Sequence, residues 1–137
     1  MTLVDAGPLV ALFDPRDRSH MRARRVLKSL RDGMSTTIPV LTEAFYILGP
    51  ASTGAARLRD YIERGGVAVW LSNRTELTRM FELMETYADH PMDLADASLV
   101  VAAESLGTRK VFTVDRRDFE AYCVRRGHRH YALEIVP

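Results

Sequence analysis

Four carboxylates lie where predicted strands of this chain end or where the helices between them begin. Asp5 and Asp115 each follow a short apolar run directly. Glu43 lies about one turn into a helix that follows another strand, and Asp96 lies in the first turn of a strongly apolar helix. Carboxylates that converge without cations repel one another and bind protons or metal ions. Mg²⁺ and Mn²⁺ prefer oxygen ligands and activate water for phosphodiester hydrolysis, so this is the chemistry that the pattern indicates.

The elements that must position these acids alternate between β and α patterns. Strands are predicted at residues 2–4, 34–38, 67–71 and 111–114, with a short fifth strand near 131–136. Helices are predicted at residues 18–31, 39–48, 53–64, 75–87 and 93–106, after a short first helix that opens on Pro8. Gly33 and Gly107 are the predicted ends of two of them. Apolar strands separated by helices indicate an α/β fold with a central, mainly parallel sheet of four to five strands flanked by helices. Functional crevices of such folds lie beyond the carboxyl ends of the strands, where these acids converge.

Each acid also has an ordinary structural interpretation. A lone Asp after a strand is commonly a turn former or a helix cap. Asp93 precedes Asp96 by the spacing of an N-cap and its N3 partner, so Asp93 is interpreted as the cap and Asp96 as the acid facing the cleft. Asp118 is either an auxiliary ligand or the cap of a short helix after the fourth strand, and the cap is the preferred interpretation.

The composition favours an ordinary soluble domain. The chain has 137 residues, of which 47% are hydrophobic and 27% charged, and a single domain over residues 1–137 is expected. No apolar run approaches the ~18 residues of a membrane span, and no signal peptide is visible. The single Cys123 cannot form an internal disulfide, which predicts a reducing, cytoplasmic location.

Arginine supplies nearly all of the positive charge, and it is clustered. Net charge is only +1, which excludes a whole-molecule basic field. Five arginines fall within residues 16–25 and five within residues 116–129. Arginine suits bidentate phosphate binding, so Arg16, Arg116 and Arg117 are candidate phosphate contacts; the alternative is a solvated surface. Residues 125–130 are predicted to form a basic surface loop that contacts phosphates.

Four short motifs together resemble the PIN domain family. They are VDAGPLVAL at residues 4–12, Thr42-Glu43, LADASL at residues 94–99 and FTVDRRDF at residues 112–119. Their order, their spacing and the chain length resemble the small single-domain members typified by VapC toxins of toxin–antitoxin pairs. The resemblance covers essentially the whole chain.

The resemblance implies a three-layer PIN fold and a Mg²⁺- or Mn²⁺-dependent endoribonuclease. The family's metal-binding acids correspond to Asp5, Glu43, Asp96 and Asp115. The hydroxyl at the position of Thr113 supports the site, and strand alternation places Thr113 and Asp115 on one side. The family also implies homodimers and a cognate antitoxin. Many relatives carry Ser, Thr or Asn just after the first acid, where this chain has Ala6 and Gly7.

Other classes of protein fit less well. A dehalogenase-like phosphatase needs a second Asp where this chain has Gly7, and a receiver domain needs a Lys after its last strand, where Arg116 follows Asp115. A solitary PIN nuclease of RNA processing and a non-catalytic PIN-like binding module stay open as alternatives. The presence of all four acids favours catalysis over the binding module.

Overall fold

The computed structural model describes residues 1–137, and its centre is a five-stranded parallel sheet. The strands of this sheet are β1 (Thr2–Val4), β2 (Met34–Thr37), β3 (Ala68–Trp70), β4 (Lys110–Phe112) and β7 (Glu134–Ile135). Two further strands, β5 (Cys123–Arg126) and β6 (Arg129–Ala132), form a separate two-stranded sheet. The helices are α1 (Ala6–Phe13), α2 (His20–Ser29), α3 (Ile38–Leu48), α4 (Thr53–Glu63), α5 (Arg74–Thr86), α6 (Leu94–Leu106) and α7 (Arg116–Ala121). The sheet order is β3-β2-β1-β4-β7, and every neighbouring pair is parallel.

Helices flank this sheet, as the predicted α/β fold requires. Every residue of β1 and β2 is buried, which is typical of parallel strands that are covered on both faces. The predicted fold class is therefore confirmed. None of the seven helices combines the length and the apolar character of a membrane-spanning segment.

The largest differences from the predicted boundaries concern the first two helices. The second helix begins at His20, because Asp14 and Asp17 accept backbone N–H groups of Arg16 and Ser19 and fold the preceding residues into turns. Its C-cap is Leu30, so the predicted Gly33 cap is wrong; Gly33 (φ 74°) instead forms the turn into β2.

The first helix begins earlier than predicted. Pro8 is its third residue and not its first, because Asp5 is the N-cap. This shift places the first acid at the junction between β1 and the amino end of a helix, where the backbone N–H groups are free.

The predicted basic loop at residues 125–130 is wrong as a structure. These residues form the ends of β5 and β6, which pair antiparallel. Val124 is fully buried and Tyr131 is partly buried, so one face of the hairpin packs on the core while its tip projects polar side chains. The predicted fifth strand divides into the end of β6 and the short β7, which joins the main sheet beside β4.

Helix α6 is buried along most of its length. Its small and branched residues 97–103 are all buried, which lets it pack closely against the sheet and against α3 and α5. The Asp93 side chain accepts a hydrogen bond from the Asp96 N–H at 2.8 Å, so the predicted N-cap is confirmed. Gly107 adopts a left-handed conformation (φ 68°) at the C-cap and ends the helix as predicted.

A largely buried ion pair joins α5, α6 and β5. Arg79 donates Nε and Nη2 to the two carboxylate oxygens of Glu104, at 3.2 and 3.1 Å, and the side chains are only 16% and 12% exposed. Glu104 also accepts the backbone N–H of Arg125. One carboxylate thus fixes the hairpin to the central helix.

Replacing Glu104 with alanine is expected to lower the free energy of unfolding by about 3 kcal/mol, because it leaves the Arg79 guanidinium and the Arg125 N–H without their acceptor. Urea denaturation measures this difference. Glu82→Ala is the matched control, since that carboxylate pairs with Arg79 only at 3.6 Å and is 57% exposed; its effect is expected to stay below about 1 kcal/mol. Equal effects of the two substitutions would contradict this assignment.

Candidate active site

Asp5 sits between β1 and α1 and is fixed through both carboxylate oxygens. Oδ1 accepts the Ala6 N–H at 2.8 Å, and Oδ2 accepts the Thr113 hydroxyl at 2.9 Å. Burial raises the pKa of Asp5 to about 6, with smaller contributions from the charges of Glu43 and Asp93, despite the opposing effect of the two hydrogen bonds. Asp5 is therefore a rigid carboxylate that binds protons unusually tightly.

Asp96 lies in the first turn of α6 and is partly buried. Burial raises its pKa to about 7, and the charges of Asp93 and Asp5 raise it further. The Tyr122 hydroxyl donates to Asp96 Oδ2 at 3.2 Å. The charge of Asp5 thus acts on the Asp96 carboxyl.

Glu43 lies in the second turn of α3 and completes the group. Burial raises its pKa, and the charge of Asp93 adds to the effect. We call Asp5, Glu43, Asp93 and Asp96 the acid cluster. No Lys, Arg or His forms an ion pair with any of its members, so their mutual repulsion is uncompensated within the chain.

The donor chemistry of the acid cluster fits a hard divalent cation, because carboxylate oxygens are its preferred ligands. The side-chain positions are not those of a preformed site: nowhere in the chain do three or more His, Cys, Asp or Glu side chains come together closely enough to hold a metal. Coordination therefore requires small side-chain adjustments or water between the ion and some of the acids, which is common for Mg²⁺.

Asp115 belongs to a neighbouring group. Its carboxyl interacts with that of Asp118, and this contact, followed by burial, raises the pKa of Asp115. Asp118 in turn lies 3.2 Å from Nε2 of His90. The predicted capping role of Asp118 is wrong, because Asp115 is the N-cap residue of α7 and Asp118 lies in its first turn.

Thr113 links the two groups. Its hydroxyl donates to Asp5 and accepts the Asp115 N–H at 3.0 Å. The strand ends at Phe112, so Thr113 acts through these two hydrogen bonds and not through the strand alternation that was expected. The Thr113 side chain is fully buried, so its two hydrogen bonds fix the position of the Asp5 carboxylate relative to the Asp115 backbone.

Two positioning contacts carried no signal in the sequence. Tyr122 is fully buried and packs edge-on against Tyr87 and Phe119. Ser98 in α6 and Thr37 at the end of β2 share a buried hydrogen bond of 2.6 Å. Both contacts fix the first turns of α6, and no sequence spacing connects residues so far apart.

The space beside Gly7, where many relatives carry a polar side chain close to the first acid, is occupied by Val114. A Cβ built on Gly7 would lie 2.4 Å from Val114 Cγ2, so the loop between Thr113 and Asp115 packs directly on α1. A side chain at position 7 would therefore clash with Val114, and no second supporting side chain can be placed there.

The arginines predicted to contact phosphate are solvated. Arg16 has a 92% exposed side chain and a weak pairing to Asp14 at 3.4 Å. Arg116 and Arg117 are exposed in the first turn of α7, directly after Asp115. All three are exposed, and Arg116 and Arg117 adjoin Asp115.

Replacing Tyr122 with phenylalanine is expected to weaken Mn²⁺ binding to the acid cluster by about 10-fold, since side chains that hydrogen-bond to metal ligands have effects of this order. The ring packing is retained while Asp96 loses its donor. Isothermal titration with Mn²⁺ measures the binding. Tyr87→Phe is the control, because its hydroxyl accepts only the Cys123 N–H in the same aromatic group. Wild-type Mn²⁺ affinity in Tyr122→Phe would overturn the positioning role.

Comparison with known proteins defines the class to which this fold and site belong. The PIN domain family matches residues 2–124. The chain therefore belongs to the PIN domain family, as its motifs suggested.

Its relatives within that class include named ribonucleases and toxins. The chain is 29% identical over 121 residues to ribonuclease VapC26 of Mycobacterium tuberculosis, covering 87% of this chain and 90% of that protein. It superimposes on the crystal structure of M. tuberculosis VapC20, a Sarcin-Ricin loop cleaving toxin, with a TM-score of 0.78, 18% identity and coverage of 86% and 92%. A toxin–antitoxin complex from Klebsiella pneumoniae matches with a TM-score of 0.68, 17% identity and coverage of 88% and 92%. At these identities the two structures support the fold alone.

Proposed function

We propose that this protein is a metal-dependent endoribonuclease of the VapC type, the toxin of a toxin–antitoxin pair. The observation that carries the proposal is the acid cluster itself, with its raised pKa values and no cation paired to it, in a chain of the PIN family. Carboxylates that repel one another in a partly buried site lower the stability of the fold. Such groups with raised pKa values are typical of sites that bind a ligand. A divalent metal relieves that repulsion.

The residues proposed to hold Mg²⁺ or Mn²⁺, directly or through water, are Asp5, Glu43, Asp96 and Asp115. When bound, the ion supplies Lewis-acid stabilisation of the phosphate and activation of water. Asp5 and Asp96 are proposed as the direct ligands, because a buried hydroxyl orients each carboxylate. Thr113 donates to Asp5, and Tyr122 donates to Asp96. Asp115 is proposed as a further ligand, since its backbone N–H is bonded to the same Thr113 hydroxyl that donates to Asp5.

The reaction is hydrolysis of a backbone phosphodiester. Water attacks phosphorus in line and a carboxylate of the acid cluster accepts its proton. The bond from phosphorus to the leaving oxygen breaks, and that oxygen takes up a proton from solvent to leave as a hydroxyl group. Arg116 and Arg117 adjoin Asp115 and are proposed to stabilise the charge that develops on the phosphate, with Arg16 further out. Single-stranded loops are the expected substrate form, because their backbone is accessible.

A cognate antitoxin, a homodimer and a cytoplasmic location are part of the same proposal. The exposed apolar side chains on α3 support association, since Tyr46 is 82% and Ile47 is 55% exposed. A small antitoxin-like reading frame beside this gene, whose product copurifies with the chain, is the expected finding. Its absence would favour the alternative, a solitary PIN nuclease of RNA processing.

The test is cleavage of total RNA by the purified protein, in Mg²⁺, in chelator, and in chelator followed by excess Mg²⁺. Cleavage is expected in the first condition, none in the second, and recovery in the third. RNA binding without cleavage in any condition would favour a binding module and overturn the enzyme assignment.

A further inference from the structure

The β5–β6 hairpin carries concentrated positive charge that is not paired with any carboxylate. Its two strands are joined by a two-residue turn, Gly127-His128, in which Gly127 has φ 61°. Residues 121–133 contain three arginines and two histidines but no acid. None of Arg125, Arg126 and Arg129 forms an ion pair with a carboxylate.

The pairing of these cations opposes stability. Arg126 lies directly across from Arg129. Like charges in directly opposite positions of an antiparallel pair are destabilising. A hairpin selected for stability alone would carry opposite charges here, and violations of such local rules concentrate at functional sites. A polyanion lying on the hairpin would offset the repulsion.

Part of this positive surface is held in place. Arg126 Nη2 donates to the Gly107 carbonyl at 2.9 Å, and Arg109 Nε donates to the Ala132 carbonyl at 2.8 Å. Their guanidinium carbons lie 5.8 and 5.6 Å from the centroid of the Tyr131 ring. Arg125 and Arg129 are exposed, and their guanidinium groups form no hydrogen bond, so they are free to meet a ligand.

The hairpin is distant from the acid cluster. It packs on α6, with the Arg125 N–H bound to Glu104 and Arg126 bound to Gly107, near the carboxyl end of that helix. Asp96 is in the first turn, so at ~1.5 Å per residue it is separated along the helix by about 12 Å from Glu104 and about 16 Å from Gly107. A contact there reaches a different part of the ligand from the phosphate being cleaved.

We propose that the β5–β6 hairpin is a second RNA-binding surface. It binds the phosphate backbone of the substrate at a place distant from the acid cluster. The inference rests on the proposed ribonuclease function for the identity of its ligand. It assigns binding, and not chemistry, to Arg125 and Arg129. The substrate must then extend beyond the cleaved loop, since it reaches both ends of α6.

The experiment measures binding of a fluorescein-labelled RNA stem-loop in chelator, over a range of salt concentrations. Arg125→Gln/Arg129→Gln is expected to bind roughly 10-fold more weakly at moderate salt, and to reduce the slope of log affinity against log salt by about 1.4 to 1.8. Lys28→Gln/Arg31→Gln removes the same charge from the last turn of α2 and the segment that follows it, and is expected to bind as wild type.

Stability measurements exclude misfolding as the cause. Because the substitutions remove repulsion, the melting temperature of the double variant is expected to equal or exceed that of wild type. Arg129→Gln alone is the second variant, with about half the change in salt slope.

Three results would overturn the proposal. One is unchanged RNA binding by the hairpin variants, and another is an equal loss in the Lys28/Arg31 control. The third comes from a parallel titration with polyglutamate: the hairpin variants lose binding to that polyanion but keep RNA binding, which would indicate an acidic protein partner. Since binding is measured without metal, absence of cleavage by the wild type would refute the enzyme assignment separately.

Discussion

Replacing Asp96 with asparagine is expected to lower Mg²⁺-dependent RNA cleavage by at least about 1000-fold, equivalent to about 4 kcal/mol of transition-state stabilisation. The amide keeps the size of the side chain and an oxygen for the Tyr122 hydroxyl, but it loses the charge that binds the metal. Because burial and the charges of Asp93 and Asp5 oppose ionisation of Asp96, the neutral variant is expected to melt at or above the wild-type temperature. Single-turnover cleavage and thermal melting measure the two effects.

Asp93→Asn is the matched control, since it makes the same chemical change three residues earlier. Asn caps a helix about as well as Asp, so the bond to the Asp96 N–H is expected to persist and cleavage to stay within a few-fold of wild type. Full activity in Asp96→Asn would contradict the proposed site. Equal losses in the two variants would mean that the charge of the whole acid cluster matters and not the ligand role of Asp96.

The metal-free protein is expected to lose stability as the pH rises from about 4 to about 7. The pKa values are about 6 for Asp5 and about 7 for Asp96 in the folded chain, against about 3.9 when unfolded. Within this window the folded state binds more protons than the unfolded state, so the free energy of unfolding falls as protons are released. The expected loss is roughly 3 kcal/mol from Asp5, with a further contribution from Asp96 that partly overlaps because the two acids interact.

Addition of Mn²⁺ at about pH 8 is expected to reverse this loss, because the ion takes the place of the released protons and binds only the folded site. Urea denaturation at several pH values, with and without the metal, measures both effects. Asp96→Asn is expected to flatten the pH dependence and to reduce the response to Mn²⁺. Stability of the metal-free protein that rises from pH 4 to 7 would contradict the account of the acid cluster.

Local patterns were sufficient to predict the elements that position Asp5 and Asp96. The apolar run before Asp5, the cap spacing from Asp93 to Asp96 and Gly107 at the end of α6 each depend on a few neighbouring residues, and the structure has all three. The rule that parallel strands present their carboxyl ends at one edge then predicted that Asp5 and Asp96 approach each other. The charge of Asp5 contributes to the raised pKa of Asp96.

Contacts between distant segments were not predictable in the same way. Tyr122 reaches Asp96 across 26 residues, and the Thr37–Ser98 bond spans 61. The role of Asp118 was assigned wrongly because the position of its partner His90, 28 residues away, depends on the fold. The hairpin was missed because its tip lacks apolar alternation, and only Val124 and Tyr131 pack inward.

Anomalous diffraction from crystals grown with Mn²⁺ tests the central claim most directly, because it locates the ion without relying on activity. We expect an anomalous peak within coordination distance of the Asp5 and Asp96 carboxylates, and no peak there in Asp96→Asn crystals under the same conditions. A peak elsewhere, with both carboxylates free of metal, would contradict the assignment of the acid cluster as the metal-dependent cleavage site.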